Sequence, residues 1–524
     1  MLTSVKAYED EGKLSAAERA LIAAVRAGKD CDLSDTRPDT ATDANTIRAD
    51  LLALLITGGS DSCGLLPFGV ALVGAYITGT LTLTQRRAVG VTGLFDCHFD
   101  SAPELRGAKF TVLGLDGSRL PALSAQGIEL AQSLFLRGAR VTGTTFLNSA
   151  KIGGNLECDG AILTAQAGDA LNAQSINVAQ GLFLRNSEVT GWVRLSGAKI
   201  GGYLDCEGAT FDGKSGDALT LQRASVGAAL VWRNVTVTSG MVMLAAATVG
   251  DLWDDVASWP RAHGPSLPKP QPQLHLDGFA YTRLFDTTTR AKDRLPWLAA
   301  GSYWQGQFTP QPYTQLAKVL REMGHDREAR IVLMERERLL AQNLYEAQRK
   351  EYLAALHGDQ TQRADAGRMW ISMMGGRAWA ALMRRVTGYG YAPQFALFWA
   401  LGCVGLGTVL YFIGYVQGLM VPNSAVILTS VDWATAFGAD AVAPALEWQG
   451  QAAAHYETFY PIPYALDVFL PVVDLGQHAA WTQTTVTTWG VALRVFTWAL
   501  QGAGYLITGL GLAAATGIIQ KDRG

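Results

Sequence analysis

Leu134-Phe135-Leu136-Arg137-Gly138-Ala139-Arg140-Val141-Thr142-Gly143 decides the fold, because the stretch returns at a fixed interval. Forty-eight residues on, it reads Leu182-Phe183-Leu184-Arg185, and after another 48 it reads Leu230-Val231-Trp232-Arg233. Cys158 and Cys206 obey the same interval, as do Leu130, Val178 and Val226. A fixed period means stacked copies of one structural unit, an architecture that presents surfaces more often than it builds catalytic pockets.

A shorter period lies inside the longer one. Val141 and Ile152, then Val178, Val189 and Ile200, then Val226 and Val237 are 11 apart within each group, and the groups are 26 apart. Twenty-six is two elevens plus four, and the extra residues fall near 164–169 and 212–217. The unit reads Leu-x-Leu-x-Gly-Ala-x-Val-x-Gly, with a worn early copy at Gly74-Ala75-Tyr76-Ile77-Thr78-Gly79-Thr80-Leu81. Alternating apolar positions make short strands, and the glycines supply corners of positive φ. An 11-residue period also suits a helical coil, but β-branched residues and several glycines per unit argue against helix. Two units per turn give coils of 22 residues, stacked about 4.8 Å apart, so that 65–255 makes a β-helix of about eight coils and roughly 40 Å. Its interior is a ladder of Leu, Val and Ile.

Open ends of such a rod expose apolar rungs and unpaired strand edges, so caps are expected. Residues 1–64 supply a helical cap. Ser15-Ala16-Ala17-Glu18 is a capping box opening a helix through Val25, and 46–56 reads as a second, apolar-faced helix. Pro260, Pro265, Pro268, Pro270 and Pro272 mark 256–309 as a proline-rich linker that ends the rod. Within 310–385, residues 312–323, a turn at Gly324 and the stretch from Asp326 form a helical hairpin.

The region 386–524 is a membrane domain. No Lys or Arg occurs from Val386 to Leu493, while Asp432, Asp440, Glu447, Glu457, Asp467 and Asp474 do. Two uncharged apolar runs, 395–420 and 495–519, are long enough to span a bilayer as helices. Arg377, Arg384 and Arg385 precede the first, and Lys521 and Arg523 follow the second. The positive-inside rule then makes this a multi-pass protein of the cytoplasmic membrane, with both termini and the rod cytoplasmic and 421–493 outside. Trp370, Trp379, Trp399, Trp481, Trp489 and Trp498 fall near the span ends as interfacial anchors. Gly509, Ala513 and Gly517 form a small-residue row for helix packing. Between the spans, 460–476 is too short to cross and too apolar for a free loop, which points to a re-entrant or extracytoplasmic segment. Asp467 and Asp474 within it are candidate pore-lining carboxylates, or acidic groups on an extracytoplasmic cap.

Composition excludes other classes. The 524 residues carry 43 Lys and Arg against 46 Asp and Glu, so nucleic acid is not an expected partner. Cysteines 31, 63, 97, 158, 206 and 403 show no CxxC spacing and suit small core roles in a reducing compartment. Gly208-Ala209-Thr210-Phe211-Asp212-Gly213-Lys214-Ser215 matches GxxxxGK[ST], but a repeat strand follows where a phosphate-binding loop must open a helix. No GxGxxG after a strand, no GxSxG and no HExxH is present. The residues therefore point away from an enzyme and imply no catalytic residue, cofactor or metal. Arg137, Arg185 and Arg233 stack on one face of the rod, as a solvated face or as a partner-binding ladder suited to an anionic surface.

The Gly-Ala-x-Val repeats, Pro310-Gln311-Pro312-Tyr313-Thr314-Gln315-Leu316 through Met323-Gly324-His325, and Tyr464-Ala465-Leu466-Asp467 through Asp474-Leu475-Gly476-Gln477 carry a resemblance. The chain resembles bacterial pentapeptide-repeat-related β-helix proteins with hydrophobic C-terminal regions, to which the label membrane-associated oxidoreductase is often attached. The whole reads as a membrane-anchored β-helix scaffold that presents its repeat surface to a protein partner and self-associates. A homo-oligomeric pore-loop channel is the first alternative. The redox enzyme implied by the family label is the second.

Overall fold

The structure, a computed structural model, describes residues 4–59, 68–260, 273–357, 360–436, 445, 448, 455–470 and 472–518. The chain divides into two compact units, Met1–Val332 and Leu333–Gly524.

The first unit is a parallel β-solenoid of about eight turns, built on a 16-stranded and a 12-stranded sheet. A coil contributes four short strands, for example Glu129–Leu130, Leu134–Phe135, Arg140–Val141 and Thr145–Phe146. Leu134 pairs with Leu156, Leu156 with Leu182, Leu182 with Leu204, and Leu204 with Leu230. Steps of 22 and 26 residues alternate along that ladder, so one 48-residue repeat is two coils. The added residues break register between Thr164 and Asp169, and again between Asp212 and Asp217, where the sequence placed them. Before residue 129 the coil length drifts. Arg87 pairs with Lys109 after 22 residues, Gly93 with Gly114 after 21, and Lys109 with Glu129 after 20. That drift blurs the period between 84 and 128.

Among the described residues the interior is apolar and closely packed. Leu115, Leu136, Cys158, Leu184, Cys206 and Trp232 succeed one another in a buried column, one per coil. The cavity among Leu81, Leu94, Phe99 and Leu105 measures about 10 Å³, too small for any ligand. Burial pushes the Cys97 thiol up to about 12, and those of Cys158 and Cys206 higher still, so these thiols are inert core groups. Cys63 lies outside the described residues.

At the N-terminal end the capping box forms as expected: the Ser15 hydroxyl accepts from Glu18 N–H and the Glu18 carboxylate accepts from Ser15 N–H, opening the helix Ala16–Ala27. The expected helix over 46–56 is corrected in part. Thr46–Arg48 is a strand paired with Tyr76, Ile77 and Thr78, and the helix is Ala49–Ile56. The β-branched Thr46 and Ile47 alternate outward and inward, and so extend the ladder.

The linker boundary also changes. Residues 261–272, with four of the five prolines, lie outside the described residues. After them, however, Gln273–His275 and Ala280–Leu284 rejoin the two sheets. Leu274-His275-Leu276-Asp277-Gly278-Phe279-Ala280-Tyr281 is one more copy of the repeat unit, with Tyr in the usual Val position. Helices Ala291–Gly301 and Gln311–Glu322 then close this end. Gln311 accepts from Gly278 N–H and donates to the Phe279 carbonyl, and Gln315 donates to the Tyr281 carbonyl, satisfying edge groups of the last coil. The hairpin expected around Gly324 (φ 81°) is present, with Asp326–Leu356 as its second helix.

His275 stacks on Trp304 at this end, 4.4 Å between ring centroids, with neither ring nitrogen hydrogen-bonded to protein. Burial holds its pKa below the ordinary value. The unfolded chain therefore takes up the proton more readily, so the stabilisation is complete above about pH 6.5 and falls as pH drops below it. Thermal unfolding of the full-length protein should accordingly weaken from pH 7 toward pH 5.5, and His275→Phe should flatten that slope.

The second unit holds the helix Gln360–Thr387, two long apolar helices and the short helices between them. Gln394–Val416 and Thr488–Ala515 are long and apolar enough to cross a membrane, and only 17% and 22% of their most apolar windows are buried. At 1.5 Å per residue they extend about 34 and 42 Å. Pro461–Phe469 packs with both, through buried Tyr464, Ala465, Val468 and Phe469. Tyr411 donates to Thr497 across the two apolar helices. Trp481, expected at an interface, is instead buried in this cluster, with its indole N–H on the Glu457 carbonyl.

Candidate functional site

Among the described residues of the first unit the inward column is closely packed, and the periodic chemistry stands on its outer faces. One face is assembled by the alternation inside the 48-residue repeat. Its rungs read Phe135 with Arg137, Glu157 with Asp159, Phe183 with Arg185, Asp205 with Glu207, then Val231 with Arg233. Like charges stacked at 4.8 Å repel by about 1 kcal/mol even at the dielectric of water, and opposite charges attract by as much. The two-coil repeat thus avoids cation over cation.

Each predicted arginine is engaged. Arg137 donates from Nε and Nη2 to Asp116 at 2.9 and 2.6 Å, with Glu157 at 3.6 Å on the other side. Arg185 donates from Nε to Asp159 at 3.1 Å, with Asp205 at 4.0 Å. Arg233 pairs with Asp286 at 2.8 Å. The guanidinium carbons of Arg137 and Arg185 lie 4.7 and 4.8 Å over the rings of Phe135 and Phe183, and that of Arg233 lies 5.9 Å over Trp253. Trp253 in turn stacks on Phe285 at 4.6 Å and meets Tyr203 edge-on at 5.9 Å. Burial pushes the Asp205 carboxyl above its ordinary range. The face is therefore no bare cationic stripe. Asp116, Glu157, Asp159, Asp205, Glu207 and Asp286 outnumber the arginines they hold, and the aromatic rings lie between them.

Sequence reasoning passed over a second locus at the end of the rod. The position after Trp253 belongs to the inward column of Leu, Cys and Trp, and it is occupied by Asp254. Asp254 and Arg294, the latter from the capping helix, both have fully buried side chains and meet through two bonds of 2.6 and 2.7 Å. Trp259 Nε1 donates to the same carboxylate at 2.7 Å, and Trp259 stacks on Trp232 at 4.7 Å. Beside this pair opens a cavity of about 910 Å³ lined by Trp259, Trp297, Arg233, Lys292 and Asp286. An acidic residue at an inward repeat position was the available signal.

Elsewhere the predicted groups are placed as follows. Asp467 accepts from the backbone N–H of Leu475 and His478, and Asp474 from Gly476, so both carboxylates organise their own loop. Asp440 and Glu447, with Lys521 and Arg523, lie outside the described residues. On the second apolar helix a Cβ at Gly504 would meet the Phe469 carbonyl at 1.9 Å, and one at Gly511 would meet Ala396 at 3.0 Å. A Cβ at Gly509 would meet nothing within 4 Å among the described residues, Ala513 is partly exposed, and Gly517 (φ 75°) follows the helix end. Within the chain, then, the close contacts of this helix fall at Gly504 and Gly511, and the row Gly509, Ala513 and Gly517 is left to a neighbouring subunit. Gly208 through Lys214 runs into the strand Thr210–Thr220, and Lys214 Nζ donates to the carbonyls of Ala165 and Gln166. Among the described residues no helix N-terminus follows that motif.

Among solved structures the chain is similar to two of QnrB1, a plasmid-mediated fluoroquinolone resistance protein, each after trypsin treatment. One is 16% identical with TM-score 0.18, covering 31% of this chain and 73% of that one. The other is 16% identical with TM-score 0.16, covering 32% and 74%. No family model and no curated protein matches the chain.

Proposed function

We propose that this protein is a membrane-anchored scaffold of the pentapeptide-repeat-like β-helix kind, which holds the arginine–aromatic–carboxylate face of its solenoid out to a protein partner and self-associates. The observation that carries the reading is the pairing of a filled interior with a periodic outer ladder. Solenoids of stacked repeats present extended surfaces, and this surface repeats one chemical pattern over several coils. Its excess of carboxylates suits a partner bringing cationic side chains, with Phe135, Phe183 and Trp253 as apolar footholds. Anchoring is supported by the two apolar helices, whose exposed Leu397, Phe398, Leu406, Phe412 and Leu512 suit lipid rather than water. The arginines before the first of them support a cytoplasmic rod in this reading.

The test is co-purification from membranes in mild detergent. Arg185→Glu places a carboxylate among Asp159, Glu157 and Asp205 and should release the partner, while membrane retention stays near wild type and Arg185→Gln, which adds no like charge, keeps the wild-type unfolding temperature within a few degrees. Retention of every co-purifying protein by Arg185→Glu contradicts the scaffold.

A further inference from the structure

We propose that the helix Gln360–Thr387 is a docking surface for the anionic face of a lipid bilayer, with exposed arginines on headgroup phosphates and exposed aromatic and aliphatic side chains in the interfacial layer. The proposal rests on the reading of the two apolar helices as spans.

The helix presents an unusual mixture to its surroundings. Trp370, Ile371 and Trp379 are 50, 67 and 54% exposed, and Met369 is 40% exposed. Among them stand Arg368, Arg377, Arg384 and Arg385, all exposed, against the single carboxylate Asp365. Arg384 and Arg385 have no carboxylate partner among the described residues. Arg377 lies 4.9 Å over the Tyr345 ring and donates to its hydroxyl at 3.3 Å, contacts that neutralise no charge. Beside Arg377 and Trp379, the side chains of Leu340, Leu344, Met373 and Met383 line an apolar groove of about 600 Å³. A water-facing helix has no use for this much apolar surface, whereas arginine and tryptophan together fit the chemistry of a headgroup layer.

Position singles out the bilayer from other partners. Leu382 and Val386 pack in the cluster that contains Ala396, Leu500 and Ile507, so the C-terminal end of the helix is fixed to the apolar helices. Trp399 of the first apolar helix donates to the Arg385 carbonyl at 3.0 Å. Exposed Phe395, Leu397 and Phe398 continue the apolar surface onto that helix. Between the two helices Gly388, Tyr389 and Gly390 take φ of 55, 58 and 91°, a left-handed turn that redirects the chain. The upstream helix is not a straight extension of the span. Polybasic segments next to a span bind anionic lipid by charge, and these arginines are followed by a stretch without any Lys or Arg through Leu493.

The test uses the full-length protein with Cys63→Ser and Cys403→Ser, reconstituted in vesicles of phosphatidylcholine with or without phosphatidylglycerol. Variants Trp370→Cys, Trp379→Cys and Phe398→Cys, each adding one exposed thiol to the four buried cysteines that remain, carry an environment-sensitive fluorophore. The proposal predicts that, with phosphatidylglycerol, labels at 370 and 379 are quenched by doxyl lipid and shielded several-fold from iodide. Adding Arg377→Gln, Arg384→Gln and Arg385→Gln should restore iodide access while the label at 398 stays lipid-quenched. A label at 398 quenched by lipid, with those at 370 and 379 open to iodide in both vesicles, overturns the docking surface and leaves the spans standing. Equal lipid quenching at 370 and 379 without phosphatidylglycerol overturns the headgroup role of the arginines. A label at 398 that escapes doxyl lipid overturns this proposal and the spans together.

Discussion

Arg294→Met should destabilise the solenoid by about 3–5 kcal/mol, the largest single-residue effect expected in this chain outside the apolar core. The substitution leaves the fully buried Asp254 carboxyl with only the Trp259 indole N–H to satisfy it. The loss should fall on the C-terminal end first, because Arg294 also ties down Thr287 and the Thr288 carbonyl. Hydrogen exchange should show the strands Thr248–Asp254 and Ala280–Leu284 opening while the central coils stay protected. The double variant Asp254→Leu with Arg294→Met should recover most of the stability, since replacing a buried pair by apolar groups is far milder than breaking it. By contrast Arg137→Met, with its side chain half exposed, should change stability by no more than about 1 kcal/mol. If the single Arg294 variant unfolds like wild type, the pair does not lock the cap.

Gly504→Ile should separate the short helix Pro461–Phe469 from the second apolar helix. Its Cβ would stand 1.9 Å from the Phe469 carbonyl, a backbone atom that cannot step aside as a side chain can. Overpacking of this kind costs about 1–3 kcal/mol or more, and detergent-solubilised protein should unfold earlier and be cleaved faster near Phe469. Gly509→Ile, at a position with nothing within 4 Å among the described residues, should behave as wild type. Reversal of these two results would restore the small-residue row that sequence spacing favoured.

The fold was legible wherever one physical rule acted alone. The repeat of Leu134, Leu182 and Leu230 displays coil stacking directly, because every inward position faces the same close-packed column. The Ser15 capping box was equally plain, since its two hydrogen bonds are local. What resisted reading was set by neighbours distant in sequence. Asp254 looks like one more surface carboxylate until Arg294, 40 residues on, is placed against it. The prolines near 260–272 outweighed a genuine repeat unit at Leu274 through Tyr281. Gly504 and Gly509 are indistinguishable by composition, and only the packing of Phe469 decides between them. On the outer face the arginines were identified by register. The carboxylate partners of Arg137 and Arg185 come from the adjacent coils and that of Arg233 from two coils on, so the sign of the surface emerged only from the assembled ladder.

The measurement that bears most directly on the scaffold is face-resolved photocrosslinking of the full-length protein in its own membrane. A photoreactive residue is placed in turn at Phe183, on the arginine–aromatic–carboxylate face, and at Asn177 and Thr190, on other sides of neighbouring coils. The account predicts one discrete adduct from position 183, absent from 177 and 190 and abolished by Arg185→Glu. Equal crosslinking from all three positions, or an adduct from 183 that survives Arg185→Glu, would contradict it.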